Sequence, residues 1–75
     1  MNFIRESFSY KVTMTAGKEL YLEGHRGISS YNDSEIVIRL RGEKIKVIGE
    51  CLIIDEINED EVLIKGKIFS FGVVE

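Results

Sequence analysis

The sequence is poor in the residues on which most metal and redox sites depend. It has one cysteine and one histidine among 75 residues. A single cysteine cannot form a disulfide within the chain, and one cysteine with one histidine cannot supply the four ligands of a structural zinc site. We therefore expect no internal disulfide, no metal and no other cofactor.

Long hydrophobic runs are also missing. The longest has four residues, Cys51 to Ile54, whereas a membrane-spanning helix needs ~20. The N-terminus carries Arg5 and Glu6 and lacks the apolar segment of a secretory signal. These features predict a soluble cytoplasmic protein without membrane insertion, whose thiol stays reduced.

An excess of positive charge is absent, since the formal net charge is −3. The chain as a whole is therefore not attracted to nucleic acid or to anionic membranes. Hydrophobic residues make up 44% and charged residues 31%, a balance typical of globular rather than disordered proteins. The length allows a single domain, residues 1–75, with a small core.

Apolar and polar residues alternate along most of the chain, which is the pattern of half-buried β-strands. No stretch has the periodicity of a helix over about ten residues. We predict an all-β domain of six to eight short strands, the first at about residues 8–15. The residues assigned to the inner face are Tyr10, Val12, Met14, Leu20, Leu22, Ile36, Ile38, Leu40, Ile45, Val47, Val62, Ile64 and Ile68.

Two segments of about 25 residues are similar to each other. Residues 18–24 align with 43–49, and residues 31–39 align with 57–65. This pattern predicts two three-strand repeat units, at about 18–39 and 43–65. Such units would form a solenoid-like stack or a small two-sheet roll, and chance similarity between β-strands is the alternative.

The predicted turns contain the residues that turns require. Gly24 and Gly49 are predicted where strands change direction, because glycine accepts a positive φ. Asn32 and Asn58 are predicted to form short turns by bonding to backbone two residues further on. His25 and Gly27 belong to the turn that follows Gly24.

Few residues are candidates for chemistry. His25 is the only candidate general base, and no Ser, Cys or Asp lies at a catalytic spacing from it, so we predict a structural turn histidine and no enzyme activity. Cys51 is expected to be a small buried hydrophobic residue. The acidic segment 55–61 is predicted to be a solvated turn. Binding of a cation or of a partner's basic patch are the alternatives, although the spacing of a calcium-binding EF-hand is absent.

Four cations form a local positive stripe on this acidic chain. Alternation places Arg39, Arg41, Lys44 and Lys46 on one face of a hairpin around residues 42–43. Three interpretations remain: a solvated face that protects the sheet edge, a docking surface for an acidic partner or another copy, and a nucleic-acid site on a small β-barrel. No aromatic residue separates the cations, which makes nucleic-acid binding the weakest interpretation.

Phenylalanines are concentrated near the two ends of the chain. Phe69 and Phe71 lie near the C-terminus, and Phe3 and Phe8 near the N-terminus. Either they cover the ends of the core, or they present an apolar patch to a partner or another copy.

The order of strands and glycines resembles the YabP/YqfC family of bacterial sporulation proteins, and it is closer to the YqfC branch. The resemblance lies in residues 18–28, 31–36, 45–54 and 62–68, and it includes a Gly-His-Arg-Gly-Ile turn at 24–28. It implies a small protein of the mother cell that acts in spore-envelope development. It brings no catalytic residues, and it matches His25 and Gly27 only as structural positions. Together with the unpaired sheet edges, the basic stripe and the terminal phenylalanines, it predicts a non-enzymatic interaction module. We expect this module to associate with itself and with a protein partner, for example a sporulation membrane or coat protein.

Overall fold

The computed structural model describes the backbone of residues 2–6 and 10–74 and the side chains of residues 10–74. It confirms the all-β prediction. The described residues form seven strands: β1 Asn2–Glu6, β2 Lys11–Thr15, β3 Glu19–Glu23, β4 Ile28–Tyr31, β5 Glu35–Arg39, β6 Lys44–Ile57 and β7 Glu61–Val74. The last two have 14 residues each and are much longer than expected. The strand predicted at about 8–15 corresponds to β2, and residues 8 and 9 of that prediction lie outside the described residues.

All seven strands belong to one antiparallel sheet in the order β1-β2-β3-β7-β6-β5-β4. The long β6–β7 hairpin lies at its centre. On the hairpin, the pairing of β3 is confined to residues 61–65 of β7, near the tip. The pairing of β5 is confined to residues 44–48 of β6, near the base. The sheet therefore has two wings, which join the hairpin at different ends.

Three β-bulges bend the long hairpin between the two wings. Phe69 is the extra residue of the first, Cys51 and Leu52 oppose Gly66 in the second, and Asp55 is the extra residue of the third. A bulge bends its strand and increases the local twist. Cys51 has a φ of 52° and is exposed, so the prediction that it is a buried hydrophobic residue is wrong.

The bend brings the inner faces of both wings together around one core. Val12 and Leu20 from the first wing share it with Ile36 and Ile38 from the second. The molecule measures 27 × 25 × 25 Å. These dimensions and the single core indicate a roll made from one folded sheet, and not a solenoid-like stack. The fully or nearly buried apolar residues are Tyr10, Val12, Leu20, Leu22, Ile36, Ile38, Leu40, Ile45, Val47, Leu52, Val62, Ile64 and Ile68.

The two predicted repeat units do not form equivalent structures. Residues 18–39 contain the three strands β3, β4 and β5, whereas residues 43–65 contain the continuous β6 and the start of β7. What the two segments share is one turn. The Asn32 side-chain oxygen accepts hydrogen bonds from the amides two and three residues further on, at 2.9 and 2.8 Å, and that of Asn58 does the same at 3.0 and 2.7 Å. The internal repeat is therefore not confirmed, and the similarity is that of two asparagine turns between alternating strands.

The β2–β3 turn offers a direct test of backbone strain. Ala16 and Gly17 have φ values of 53° and 66°, and Lys18 N donates to Thr15 O at 3.0 Å. Positive φ at both central positions defines a type I′ turn, for which Asn-Gly is the preferred sequence. Ala16 is exposed, so its side chain adds no packing to offset the strain.

We expect Ala16→Asn to increase the free energy of unfolding by about 0.5–1 kcal/mol, because asparagine tolerates the left-handed region better than alanine. Urea denaturation monitored by circular dichroism measures the change. Ala16→Val is the matched control and should destabilise, because a β-branched residue fits this region poorly. Equal stability of the two variants would contradict the turn assignment.

Candidate interaction surface and the crossing segment

The predicted basic stripe is assembled at the β5–β6 hairpin. Arg39 lies directly opposite Lys44 in the antiparallel register. Lys46 lies opposite Val37, two residues further along the same two strands. All three point away from the core, since their strand neighbours Ile38 and Ile45 are buried. Arg41 is exposed in the turn itself. We call these four cations the basic face: Arg39, Arg41, Lys44 and Lys46.

Arg39 is held in place by the segment that precedes β4. Its guanidinium Nη2 donates to the carbonyl of Arg26 at 3.1 Å. A Cβ at position 27 would lie 2.7 Å from the same nitrogen, and Gly27 has a φ of 122°. The guanidinium therefore occupies space that only a glycine at position 27 leaves open.

The other cations of the basic face are less constrained. Lys46 Nζ lies 3.7 Å from the carboxylate of Glu35, with about two fifths of both side chains exposed, 39% and 41%, so this pair contributes little to stability. Neither Arg41 nor Lys44 forms an ion pair within the described residues. On β7 the register neighbours of this face are Gly72 and Val74, so among the strands paired here no aromatic residue of the described chain lies opposite the lysines.

The two C-terminal phenylalanines have different environments. Phe69 is 54% exposed, and the Lys67 ammonium lies 5.6 Å from the centre of its ring. Phe71 is partly buried and packs against the core. Phe71 therefore helps to cover the core, whereas Phe69, on the same strand, presents an apolar surface. The side chains of Phe3 and Phe8 lie outside the described residues.

His25 is buried, with 7% of its surface exposed. Its Nε2 lies 2.7 Å from the carbonyl of Asn58, and its Nδ1 accepts the amide N–H of Gly27 at 3.0 Å. Because the carbonyl requires a donor and the amide requires an acceptor, the ring is neutral with its proton on Nε2. Both ring nitrogens are thus bonded to backbone, and neither is available to take a proton from a substrate in this arrangement.

His25 belongs to a crossing segment, residues 24–27, that runs from the first wing to the second. The amides of Gly24 and His25 donate to the carbonyl of Asp60 at 2.7 and 3.3 Å. The next amide, that of Arg26, donates to the carbonyl of Arg39 at 2.7 Å, and Arg39 N returns a bond to Gly27 O at 2.9 Å. Consecutive residues therefore bind the β6–β7 turn and the end of β5.

A concave region of about 610 Å³ lies over the crossing segment, with Arg26, Glu59 and Asp60 at its rim. The carboxylates of the 55–61 segment are exposed or half-buried, and Asp55 pairs with Lys65 at 3.4 Å. No group of three or more His, Cys, Asp or Glu side chains within the described residues has an arrangement that could hold a metal ion.

Gly49 does not lie at a turn, as the sequence predicted, but inside β6. A Cβ at this position would lie 2.0 Å from the carbonyl oxygen of Lys67 and 2.9 Å from Leu52 Cδ2. Gly66, which the alternation of residues does not distinguish, is similar: a Cβ there would lie 2.7 Å from Cys51 O. Both glycines allow the close backbone approach at the bulges, and only the pairing of β6 with β7 reveals it.

The Asn32 turn supports the same bend from the second wing. The carbonyl of Asp33 accepts Leu52 N at 2.8 Å, and that of Ser34 accepts Gly49 N at 3.0 Å. In addition, Ile54 N donates to the Tyr31 hydroxyl at 3.3 Å. The turn thus bonds to β6 on both sides of the Cys51–Leu52 bulge, where the ladder to β5 has ended.

Comparisons with known proteins place these features in a family. The model of the YabP family matches residues 6–74. The "Uncharacterized protein YqfC" of Bacillus subtilis (strain 168) is 28% identical over 65 residues, which cover 87% of this chain and 70% of that protein. No solved structure matches the chain. In the described part of the chain, there is no helix of the length and hydropathy needed to span a membrane.

Proposed function

Since the chain belongs to the YabP family, we propose that it is a non-enzymatic interaction module of spore formation that binds an acidic protein surface through its basic face. The family match and the relative YqfC support a sporulation-related role. Development of the spore envelope in the mother cell is the setting we propose, with a membrane or coat protein of the spore as the partner.

One observation carries the choice of surface. The basic face places Arg39 opposite Lys44, with Lys46 next along β6, and Arg41 and Lys44 have no ion pair within the described residues. Exposed charges of one sign on a rigid sheet steer a partner of opposite charge and select its orientation more than they add raw affinity. An acidic protein surface is the chemistry that fits this arrangement.

The state of His25 supports a role without catalysis. Both ring nitrogens are bonded to backbone groups of the fold, and the ring is buried. A general base must be able to accept a proton from a substrate within hydrogen-bonding distance. The chain's single histidine instead connects the crossing segment to the β6–β7 turn.

Reversing the two unpaired charges tests the proposal. We expect Arg41→Glu combined with Lys44→Glu to leave the fold intact, because both side chains are exposed, and to abolish function. The measurement is the yield of heat-resistant spores in a spore-forming host whose own gene is deleted and which expresses the wild type or a variant. Deletion should lower the yield, the wild type should restore it, and the double variant should not.

A charge-matched variant controls for the change in net charge. Lys18→Glu combined with Lys67→Glu alters two exposed lysines outside the basic face, one in the β2–β3 turn and one in the middle of β7, and it should restore the spore yield. Full complementation by the variant at Arg41 and Lys44 would overturn the proposed surface. Binding of labelled single-stranded DNA that weakens with salt and is lost in this variant would assign the face to nucleic acid instead.

A further inference from the structure

The crossing segment holds two turns of opposite charge next to each other. The acidic turn, residues 58–61, carries Glu59, Asp60 and Glu61. The basic turn, residues 39–44, carries the three cations Arg39, Arg41 and Lys44 and one carboxylate, Glu43. The amide of His25 donates to the carbonyl of Asp60 in the acidic turn. The next amide, that of Arg26, donates to the carbonyl of Arg39 in the basic turn. The two turns lie at the tip and at the base of the β6–β7 hairpin, but they meet at the crossing segment, and its backbone hydrogen bonds fix their separation.

The exposed charges on these turns are not neutralised within the chain. In the described residues, Glu59, Asp60, Arg41 and Lys44 form no ion pair, whereas Lys46 and Lys65 each have a carboxylate partner. All four of these unpaired side chains are exposed. The two turns thus present neighbouring charges of opposite sign that remain available to a second molecule.

Two concave regions lie beside the charges. One, of about 610 Å³, is bordered by Arg26, Glu59 and Asp60 over the crossing segment. The other, of about 450 Å³, is bordered by Arg39, Leu40 and Lys44 beside Val74. A turn from another molecule has space to enter each.

We infer that the two turns together form a self-complementary surface through which the chain makes a two-fold dimer. The basic turn of each copy contacts the acidic turn of the other. A two-fold interface buries the same patch on both subunits, so a patch with positive and negative halves side by side pairs with itself in two reciprocal contacts. The two-fold rotation places the positive half of one copy opposite the negative half of its partner, across the interface.

The size of the molecule is compatible with such a dimer. A specific interface buries in total about 1,000 Å² or more, or about 500 Å² per copy. This is roughly a tenth of the 4802 Å² surface of the chain. The inference rests on the proposed function, because it identifies a second copy as an acidic partner of the basic face.

Light scattering after size exclusion, over a series of protein concentrations at low salt, tests the inference. We expect the mass to approach twice 8.6 kDa and to go no higher. Raising the salt should favour the monomer, because exposed ion pairs are screened. Growth of the mass beyond the dimer would overturn the two-fold arrangement in favour of head-to-tail contacts.

Two charge-reversed variants sharpen the test. Arg41→Glu with Lys44→Glu makes both turns acidic, and Glu59→Lys with Asp60→Lys makes both turns basic. We expect each variant alone to weaken the dimer by about tenfold or more. Mixing the two in equal amounts should restore a dimer that contains one copy of each. The variant with Lys18→Glu and Lys67→Glu should dimerise like the wild type.

The results separate this inference from the proposed function. A wild-type chain that stays monomeric at high micromolar concentration and low salt overturns the dimer, while the spore-yield result for the basic face stands independently. A dimer that neither variant weakens overturns the charge contacts. If the spore yield depends on Arg41 and Lys44 but not on Glu59 and Asp60, the acidic partner is another protein and not a second copy.

Discussion

Replacing Gly49 by alanine is expected to lower the free energy of unfolding by about 3 kcal/mol or more, the upper range for a residue that cannot be accommodated without backbone movement. The added Cβ would lie 2.0 Å from the carbonyl oxygen of Lys67, a distance that non-bonded atoms do not reach. Relief requires β6 and β7 to separate at the Phe69 bulge. A domain of this size has little stability in reserve, since small domains are stabilised by only about 5–15 kcal/mol in total.

Gly72 provides the matched control within the same hairpin. It pairs with Lys46 near the base of the hairpin, and a Cβ there would meet no atom within 4 Å. Gly72→Ala should therefore change stability by at most about 0.5 kcal/mol. Urea unfolding of both variants, followed by circular dichroism, gives the comparison. Similar stabilities for the alanine variants at 49 and 72 would mean that β6 and β7 do not approach at Gly49 as described.

Alternation was sufficient to predict the core, because a half-buried strand shows its inner face directly in its residue order. Every residue assigned to the inner face is buried except Met14, which is partly buried and packs against the core. Alternation did not distinguish Gly24, at the end of β3, from Gly49, inside β6. A glycine in a strand pattern is compatible with a turn or with a bulge. The pairing partner decides between them, and pairing is not a local property of the sequence.

The predicted repeat arose because the sequence shows local turns and strands but not how the strands pair. Asn32 and Asn58 form the same hydrogen-bonded turn, so the residues around them look alike. One turn joins β4 to β5 at the edge of the sheet, and the other joins the two longest strands at its centre. The two asparagine turns could therefore be predicted from the sequence. The length and bend of the β6–β7 hairpin could not, because they depend on bulges that are visible only once β6 is aligned with β7.

The candidate surface was predictable in part for a similar reason. The outward positions of Arg39, Lys44 and Lys46 follow from alternation. The proximity of the acidic turn does not, because it depends on backbone bonds between the crossing segment and residues more than ten positions away in the chain. The only local signal for the crossing segment was a histidine flanked by glycines. That signal predicts a turn but gives neither of its partners.

His25 is the side chain for which we expect the second large effect. His25→Ala should destabilise the fold by about 2–3 kcal/mol, because it leaves the Asn58 carbonyl and the Gly27 amide without their buried partner and removes the packing of the ring. His25→Phe keeps most of the volume and removes only the hydrogen bonds. We expect it to cost less than the alanine variant and still about 1 kcal/mol or more.

Hydrogen exchange locates the effect and separates it from a general loss of stability. In the wild type the amide N–H of Gly27 donates to Nδ1 of the histidine ring. In His25→Phe this amide should lose its protection against hydrogen exchange. The amide of Lys18 in the distant β2–β3 turn should exchange as before. The same variant also bears on the two-fold dimer, because the histidine holds the crossing segment to the acidic turn. If the spacing of the two charged turns matters, His25→Phe should remain folded and dimerise more weakly. A fully stable His25→Phe variant with unchanged exchange at Gly27 would contradict the structural role of the ring.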